Sequence, residues 1–192
     1  MRCLVDPEMP TVLRSPGGPL KTGGVVYTGV ADSITSEDTT TWTVILEDGW
    51  TFHGGIPVTA QSFVDAWNYT AYSPNGQAAS HFFANVAGYE DLQAPTDDAG
   101  ELIGEPAAKE MSGLAVVDDL TFTVTLGAPF AQWPVTIGYS AFYPLPESFV
   151  EDPEAAGEQP VGNGPFQADE LFEPGVDITL TRYDEYAGEN KA

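Results

Sequence analysis

The residues that most often carry out catalysis are scarce in this sequence. It has two histidines, His53 and His81, and one cysteine, Cys3. A serine nucleophile on a strained turn needs a glycine on each side. The nearest match, Gly138-Tyr139-Ser140-Ala141-Phe142, has Phe142 where the second glycine belongs. The sequence therefore predicts no catalytic residue and no enzyme activity.

Metal and nucleotide sites are equally poorly represented. One cysteine and two separated histidines do not form a zinc-binding pattern. The turn Gly162-Asn163-Gly164 superficially resembles the start of a dinucleotide loop, but Gln167 stands at the third glycine position and Pro165 has no N–H to donate. Nothing selects a catalytic pair among the 29 Asp and Glu residues. We therefore predict no metal site and no cofactor.

The charge balance excludes further classes of partner. Six Lys and Arg residues against 29 Asp and Glu give a formal net charge of −23. Proteins that bind nucleic acid need clustered cations to release counterions from phosphates, so nucleic acid and anionic membrane surfaces are excluded. No run approaches the roughly 20 apolar residues of a membrane span, so we predict no membrane insertion. The acidity is typical of a secreted or high-salt protein that stays soluble by self-repulsion.

The clearest structural signals are one strand, one helix and one hairpin. Thr41–Leu46 alternates polar and apolar residues, which is typical of a half-buried strand. Thr59 predicts a helix start, and Ser62 stands where a capping box would have Glu or Gln, so we expect a plain cap. Residues 114–117 and 120–126 predict a hairpin with one buried face.

These elements predict a common core and an α+β fold. The predicted core residues are Trp42, Val44, Leu46, Phe63, Val64, Trp67, Leu120, Phe122, Val124 and Leu126. Weaker signals predict a second helix at 78–87, a short helix at 129–137 and an acidic loop at 151–159. Trp50 and Phe52 flank a turn, and the pattern does not decide whether they are buried.

One continuous stretch resembles a known family. Residues 41–64 comprise an extended strand, a turn ending at Gly49, the segment Phe52-His53-Gly54-Gly55, and Pro57-Val58-Thr59-Ala60 opening a helix. This order is similar to the signature of family 5 bacterial solute-binding proteins, with Gly54 replacing the usual Asp. Further segments resemble the family in the same order. They are residues 29–33, 87–89, 114–126, 144–146, 160–166 and 178–186.

The resemblance implies a fold and a domain organisation. It implies the N-terminal insertion subdomain of a type II periplasmic-binding-protein-like fold, with two or three helices packed on a mostly antiparallel sheet. Residues 1–24, which are rich in Pro and Gly, would form an extended, loop-rich arm. Residues 25–161 would form the insertion subdomain of the first lobe, and residues 162–192 would return toward the core of that lobe. The resemblance also implies that the second lobe would lie outside this sequence.

The resemblance also implies a function. Family members capture oligopeptides outside the membrane and deliver them to the membrane subunits of an ABC importer, and we expect anchoring through the N-terminus of a parent lipoprotein. The loop that carries Asn75, Gln77 and His81 would border the ligand cleft. Two alternatives remain open at this point: a binding protein for another solute such as a sugar, nickel or haem, and a secreted hydrolase or adhesion module that shares the fold.

Overall fold

A four-stranded antiparallel sheet forms the centre of the molecule. The computed structural model describes residues 29–100, 102–171, 175 and 178–188. The strands are β1 (Ala31–Thr35), β2 (Thr41–Leu46), β3 (Leu114–Asp118) and β4 (Thr121–Thr125), in the spatial order β1-β2-β4-β3. This arrangement confirms the predicted α+β fold with an antiparallel sheet.

The register of β2 and β4 places their apolar residues on one face. Trp42 lies opposite Val124, and Val44 lies opposite Phe122. Because side chains alternate along a strand, these residues share the buried face while the intervening threonines lie on the other. The alternation that predicted the strands therefore also fixes the face that is covered.

Helix α1 (Ala60–Ala71) covers that buried face. Its apolar stripe brings Phe63 parallel to Phe122 at 5.7 Å between ring centroids. At the N-terminus the Ser62 N–H donates to Thr59 Oγ1, and the Thr59 N–H donates to Ser62 Oγ at 3.2 Å. The expectation of a plain cap was therefore wrong, because a serine hydroxyl can also accept the return hydrogen bond of a capping box.

Trp67 is the centre of the core. Its ring meets Phe122 edge-on at 5.5 Å and Phe142 at 5.3 Å, and its indole Nε1–H donates to the Phe142 carbonyl at 3.1 Å. The predicted common core is confirmed, with Leu120 half-buried at its margin. Trp50 and Phe52, which the pattern left undecided, are both buried.

The remaining helices are short. They are α2 (Trp133–Thr136), α3 (Glu147–Glu151) and α4 (Pro153–Glu158). The predicted helix at 78–87 was wrong, because only Ser80–Phe83 forms a 3₁₀ turn. The predicted loop at 151–159 was also wrong: the Asp152 carboxylate accepts from the Ala155 N–H at 3.1 Å and starts α4.

A separate two-stranded sheet follows α4. Strand β5 (Phe166–Ala168) pairs antiparallel with β6 (Leu180–Arg182). The predicted arm at residues 1–24 lies outside the described residues. Among the helices that the structure describes, none has the length and apolar character needed to cross a membrane.

Candidate functional site

The loop predicted to border a cleft follows α1 directly. Its first turn is a 3₁₀ turn at Ser73–Asn75, which ends at Gly76 with a φ of 63°. The Asn75 side chain donates from Nδ2 to the Tyr69 carbonyl at 2.8 Å. The Asn75 amide group therefore ties the loop to α1, and its Nδ2 is already engaged.

Gln77 and His81 are more accessible. Both side chains are exposed, and each makes a hydrogen bond within the loop. Gln77 Nε2 donates to the Asn75 carbonyl at 3.1 Å, and His81 Nδ1 lies 3.1 Å from the Ala78 carbonyl. A carbonyl oxygen can only accept, so this contact assigns the proton of the neutral ring to Nδ1. Nε2 of His81 is then the ring atom left to accept a hydrogen bond from a ligand.

Three side-chain bonds fix the loop to the rest of the domain. Ser80 Oγ donates to the Ala71 carbonyl at 3.1 Å, and Gln93 Nε2 donates to the same oxygen at 3.0 Å. Ser73 Oγ accepts from the Ala94 N–H at 2.8 Å. The first two bonds satisfy the Ala71 carbonyl at the C-terminal end of α1, which has no partner within the helix. The loop is consequently held in one position before any ligand arrives.

An aromatic ladder extends from the end of this loop. The His81 ring lies 4.3 Å from the Phe82 ring, and Phe82 lies 4.5 Å from Tyr139, with interplanar angles of 34° and 32°. The neighbouring Phe83 turns the other way and packs against Phe142 at 4.8 Å in the core. Sequence reasoning missed Tyr139, which it considered only as part of a failed nucleophile motif.

A second feature that the sequence did not reveal is the junction around His53. Gly162 N–H donates to Nδ1 at 3.2 Å, and Nε2 lies 3.0 Å from the Gly164 carbonyl. The backbone N–H of His53 also donates to the Gly162 carbonyl at 2.7 Å. Because Nδ1 accepts and Nε2 donates, the ring must be neutral to make both bonds. His53 thus joins the turn before α1 to the turn before β5.

The electrostatics of His53 agree with this geometry. Burial lowers the pKa of His53 from its ordinary value of 6.5, while the bond to Gly164 opposes the shift. The ring meets Tyr183 edge-on at 5.0 Å. Tyr183 in turn donates to the Phe52 carbonyl at 3.0 Å and lies 2.7 Å from Thr51 Oγ1. These contacts secure the segment after β6 to residues 51–53, which precede α1.

The described surface also has a polar depression of about 540 Å³ at the turn between β1 and β2. Its lining comprises Thr35, Ser36, Glu37, Asp38, Thr41 and Thr43. The Asp38 carboxylate accepts from the N–H groups of Thr40 and Thr41 at 2.8 Å, and these bonds hold its pKa below the ordinary value of 3.8. Asp38 therefore stabilises the turn between β1 and β2. None of the three predicted site residues, Asn75, Gln77 and His81, lines this depression. Within the described part of the chain, no three His, Cys, Asp or Glu residues cluster to hold a metal ion.

Comparison with known proteins places the whole folded region in one family. The sequence profile of the bacterial extracellular solute-binding proteins, family 5, middle region, matches residues 25–192. The chain is 30% identical over 128 residues to the periplasmic murein peptide-binding protein MppA of Escherichia coli, covering 67% of this chain and 22% of that protein. It is 30% identical over 168 residues to the oligopeptide-binding protein OppA of Bacillus subtilis, covering 85% of this chain and 29% of that protein.

Solved structures also have a similar fold. The structure of Listeria monocytogenes OppA bound to peptide superposes with a TM-score of 0.69 at 25% identity, covering 97% of this chain and 33% of that one. The chain thus spans between about a fifth and a third of the length of these proteins. The profile match over residues 25–192 and the shared fold confirm the resemblance read from residues 41–64: this chain belongs to family 5 of the bacterial extracellular solute-binding proteins.

Proposed function

We propose that this chain forms part of the ligand clamp of a peptide-binding protein that serves an ABC importer. The observation that carries the proposal is the 30% identity to an oligopeptide-binding protein over 85% of the chain. In this account the protein captures oligopeptides outside the membrane, and closure of a cleft between two lobes presents them to the membrane subunits of the importer. No bond of the peptide is broken, so the chain has no catalytic residue and needs no cofactor.

The two sheets support a proposed domain organisation. In it, residues 25–161 form the insertion subdomain of the first lobe and residues 162–192 return to the core of that lobe. Phe166 and Leu180 share one face of the β5–β6 sheet, since Phe166 and Ala168 are two residues apart and lie on the same face, and Ala168 pairs with Leu180. Both side chains are about half exposed, at 49% and 56%. An isolated two-stranded sheet is marginally stable, so this face suits contact with further polypeptide of the lobe.

The loop from Asn75 to His81 borders the cleft. Asn75 positions the loop through its bond to Tyr69, while Gln77 and His81 reach solvent and contact the peptide. Polar groups on a prepositioned loop can bind the main chain of a peptide, directly or through water, with little selection among side chains. A metal cargo has less support, because both ring nitrogens of His53 are engaged in hydrogen bonds and ligation of an ion would break at least one of them.

The protein is placed at the outer side of the membrane, held there by a lipid anchor on the N-terminus of the parent protein. This placement fits the extracellular character of the family. It also fits the formal charge of −23, which keeps a secreted protein dispersed.

The proposal is tested by completing the clamp. A chimera is made in which residues 25–192 replace the matching segment of Bacillus subtilis OppA, and calorimetry measures its affinity for tetra-alanine. We expect a Kd of roughly micromolar order for the chimera and none tighter than about 1 mM for the 192-residue chain alone, because a ligand pocket needs walls on most sides. Replacing both Gln77 and His81 by alanine should weaken chimera binding about tenfold, whereas the exposed helix substitution Gln61→Ala should not.

Two outcomes would contradict the proposal. A chimera that melts cooperatively but does not bind peptide would remove the function assigned to the chain. A chimera that does not fold would count against residues 162–192 as the segment that rejoins the first lobe.

A further inference from the structure

The aromatic ladder of His81, Phe82 and Tyr139 has the construction of a binding surface. Its two outer rings, His81 and Tyr139, are the exposed ones, and Tyr139 is 52% exposed. The central ring, Phe82, is half-buried and packs against the hydrophobic core. The exposed Tyr139 ring forgoes the hydrophobic free energy that burial in the core would have provided.

The ladder is also rigid. Phe82 belongs to the 3₁₀ turn Ser80–Phe83, whose next residue, Phe83, is fully buried against Trp67 at 5.8 Å. Ser80 is tied to α1 through the Ala71 carbonyl. Tyr139 precedes a second 3₁₀ turn, Ser140–Phe142, which ends in the buried Phe142. Both sides of the ladder are therefore anchored in the core, so little ordering is required when a ligand stacks on it.

The charge distribution selects among the groups that stack on aromatic rings. The chain carries a formal charge of −23, and the described residues contain two Lys or Arg side chains, Lys109 and Arg182. Arg182 is paired with Asp184 at 2.8 Å. An approaching cation therefore meets a net attractive field, while an anion is repelled. Guanidinium groups combine this charge with a planar face that stacks on aromatic rings.

We propose that the His81–Phe82–Tyr139 ladder binds the guanidinium group of an arginine side chain in the captured peptide. This inference rests on the proposed peptide-binding function and deepens it. The loop holding Gln77 and His81 contacts the peptide main chain, and the ladder that begins at His81 receives one side chain. The protein would then bind peptides generally, with a preference for those that carry arginine near this position.

A small probe tests the ladder without the rest of the clamp. The ¹⁵N- and ¹³C-labelled 192-residue chain is titrated at pH 8 with N-acetyl-arginine amide, and separately with N-acetyl-citrulline amide, which has a nearly identical shape but no charge. We expect shift changes centred on His81, Phe82 and Tyr139, and about two- to fivefold tighter binding of the arginine probe. Tyr139→Leu should abolish the changes. Phe149→Leu, which removes a ring that pairs edge-on with Tyr69 elsewhere on the domain, should leave them intact.

The proposal is overturned if citrulline binds as tightly as arginine, if the shifts fall outside the ladder, or if Phe149→Leu has the same effect as Tyr139→Leu. Should Tyr139→Leu fail to fold, the map of shifts in the unsubstituted chain decides alone. The two proposals fail separately. If the chimera binds peptides without preferring arginine, the role proposed for the ladder is wrong. If the chain binds the arginine probe but the chimera does not bind peptide, the proposed function is wrong.

Discussion

The region around α1 and the segment from β5 onward are held together in different ways. Around α1, one side chain after another is fully buried, and Trp67 alone contacts Phe63, Phe83, Phe122, Trp133 and Phe142. The β5–β6 sheet exposes Phe166 and Leu180. The turn before β5 and the segment after β6 are held by hydrogen bonds that involve His53 and Tyr183, and by Tyr186, whose ring meets Trp50 edge-on at 5.5 Å. The first region has an extensive aromatic core. The second has the surface of an interface.

This difference indicates that one region provides stability and the other provides a surface for contact. A core that is already covered gains little from further partners, whereas an exposed apolar face is stabilised when a partner removes it from water. The core around α1 therefore supplies a stable base, whereas the β5–β6 face would gain stability from a further contact, as the proposed join to the first lobe requires.

The largest expected effect is at Trp67. Replacing Trp67 with alanine should lower the free energy of unfolding by about 3–5 kcal/mol, because it opens a cavity in the core and removes the hydrogen bond to the Phe142 carbonyl. Urea denaturation followed by circular dichroism measures this change. Val135→Ala is the matched control; its side chain is 63% exposed, so a change within about 0.5 kcal/mol is expected. A loss below about 1 kcal/mol at Trp67 would show that the core does not depend on α1.

A smaller effect is expected at the junction, and it depends on pH. The pKa of His53 is lowered in the folded state, so the unfolded chain binds more protons in the window between the two pKa values. The stability contributed by neutral His53 is therefore complete above about pH 6.5 and is lost as the pH falls through the lower folded value. Urea midpoints measured between pH 8 and pH 5 should decline more steeply for the unsubstituted chain than for His53→Gln.

His81 provides the control for this experiment. Its exposed ring makes one bond within its own loop, so His81→Gln should keep the pH dependence of the unsubstituted chain. Equal pH profiles for the chain and for His53→Gln would mean that the junction does not require a neutral His53.

Much of the region formed by β2, β4 and α1 could be predicted from local sequence patterns. The alternation in β2 and β4 and the apolar stripe of α1 each reflect burial on one side of a regular element, and their period is written in consecutive residues. The capping box was not predicted because the expected partner of Thr59 was Glu or Gln, whereas Ser62 performs that role here. The helices at 147–158 escaped because their acidic residues and Pro153 resemble a loop, although proline and acidic residues also suit the first turn of a helix.

The site was less predictable because its contacts join distant parts of the chain. His53 meets Gly162 and Gly164 across more than one hundred residues, and neither turn alone signals the other. Tyr139 reaches Phe82 in the same way. Asn75, Gln77 and His81 were selected through the family resemblance, and the structure assigns Asn75 a bond that positions the loop. A ring that bridges two turns leaves no periodic trace in the sequence.

Native-state hydrogen exchange tests most directly whether the core around α1 is stable in this chain while the β5–β6 sheet needs a further contact to become stable. Amide exchange is measured in β4 and in β5–β6, for the 192-residue chain and for the chimera with Bacillus subtilis OppA. In the chain alone, we predict that β5–β6 exchanges at least about a hundredfold faster than β4, since local opening requires far less free energy than global unfolding. In the chimera, β5–β6 should slow at least about tenfold while β4 stays unchanged. Equal protection of β4 and β5–β6 in the chain alone, or no slowing in the chimera, would contradict this account.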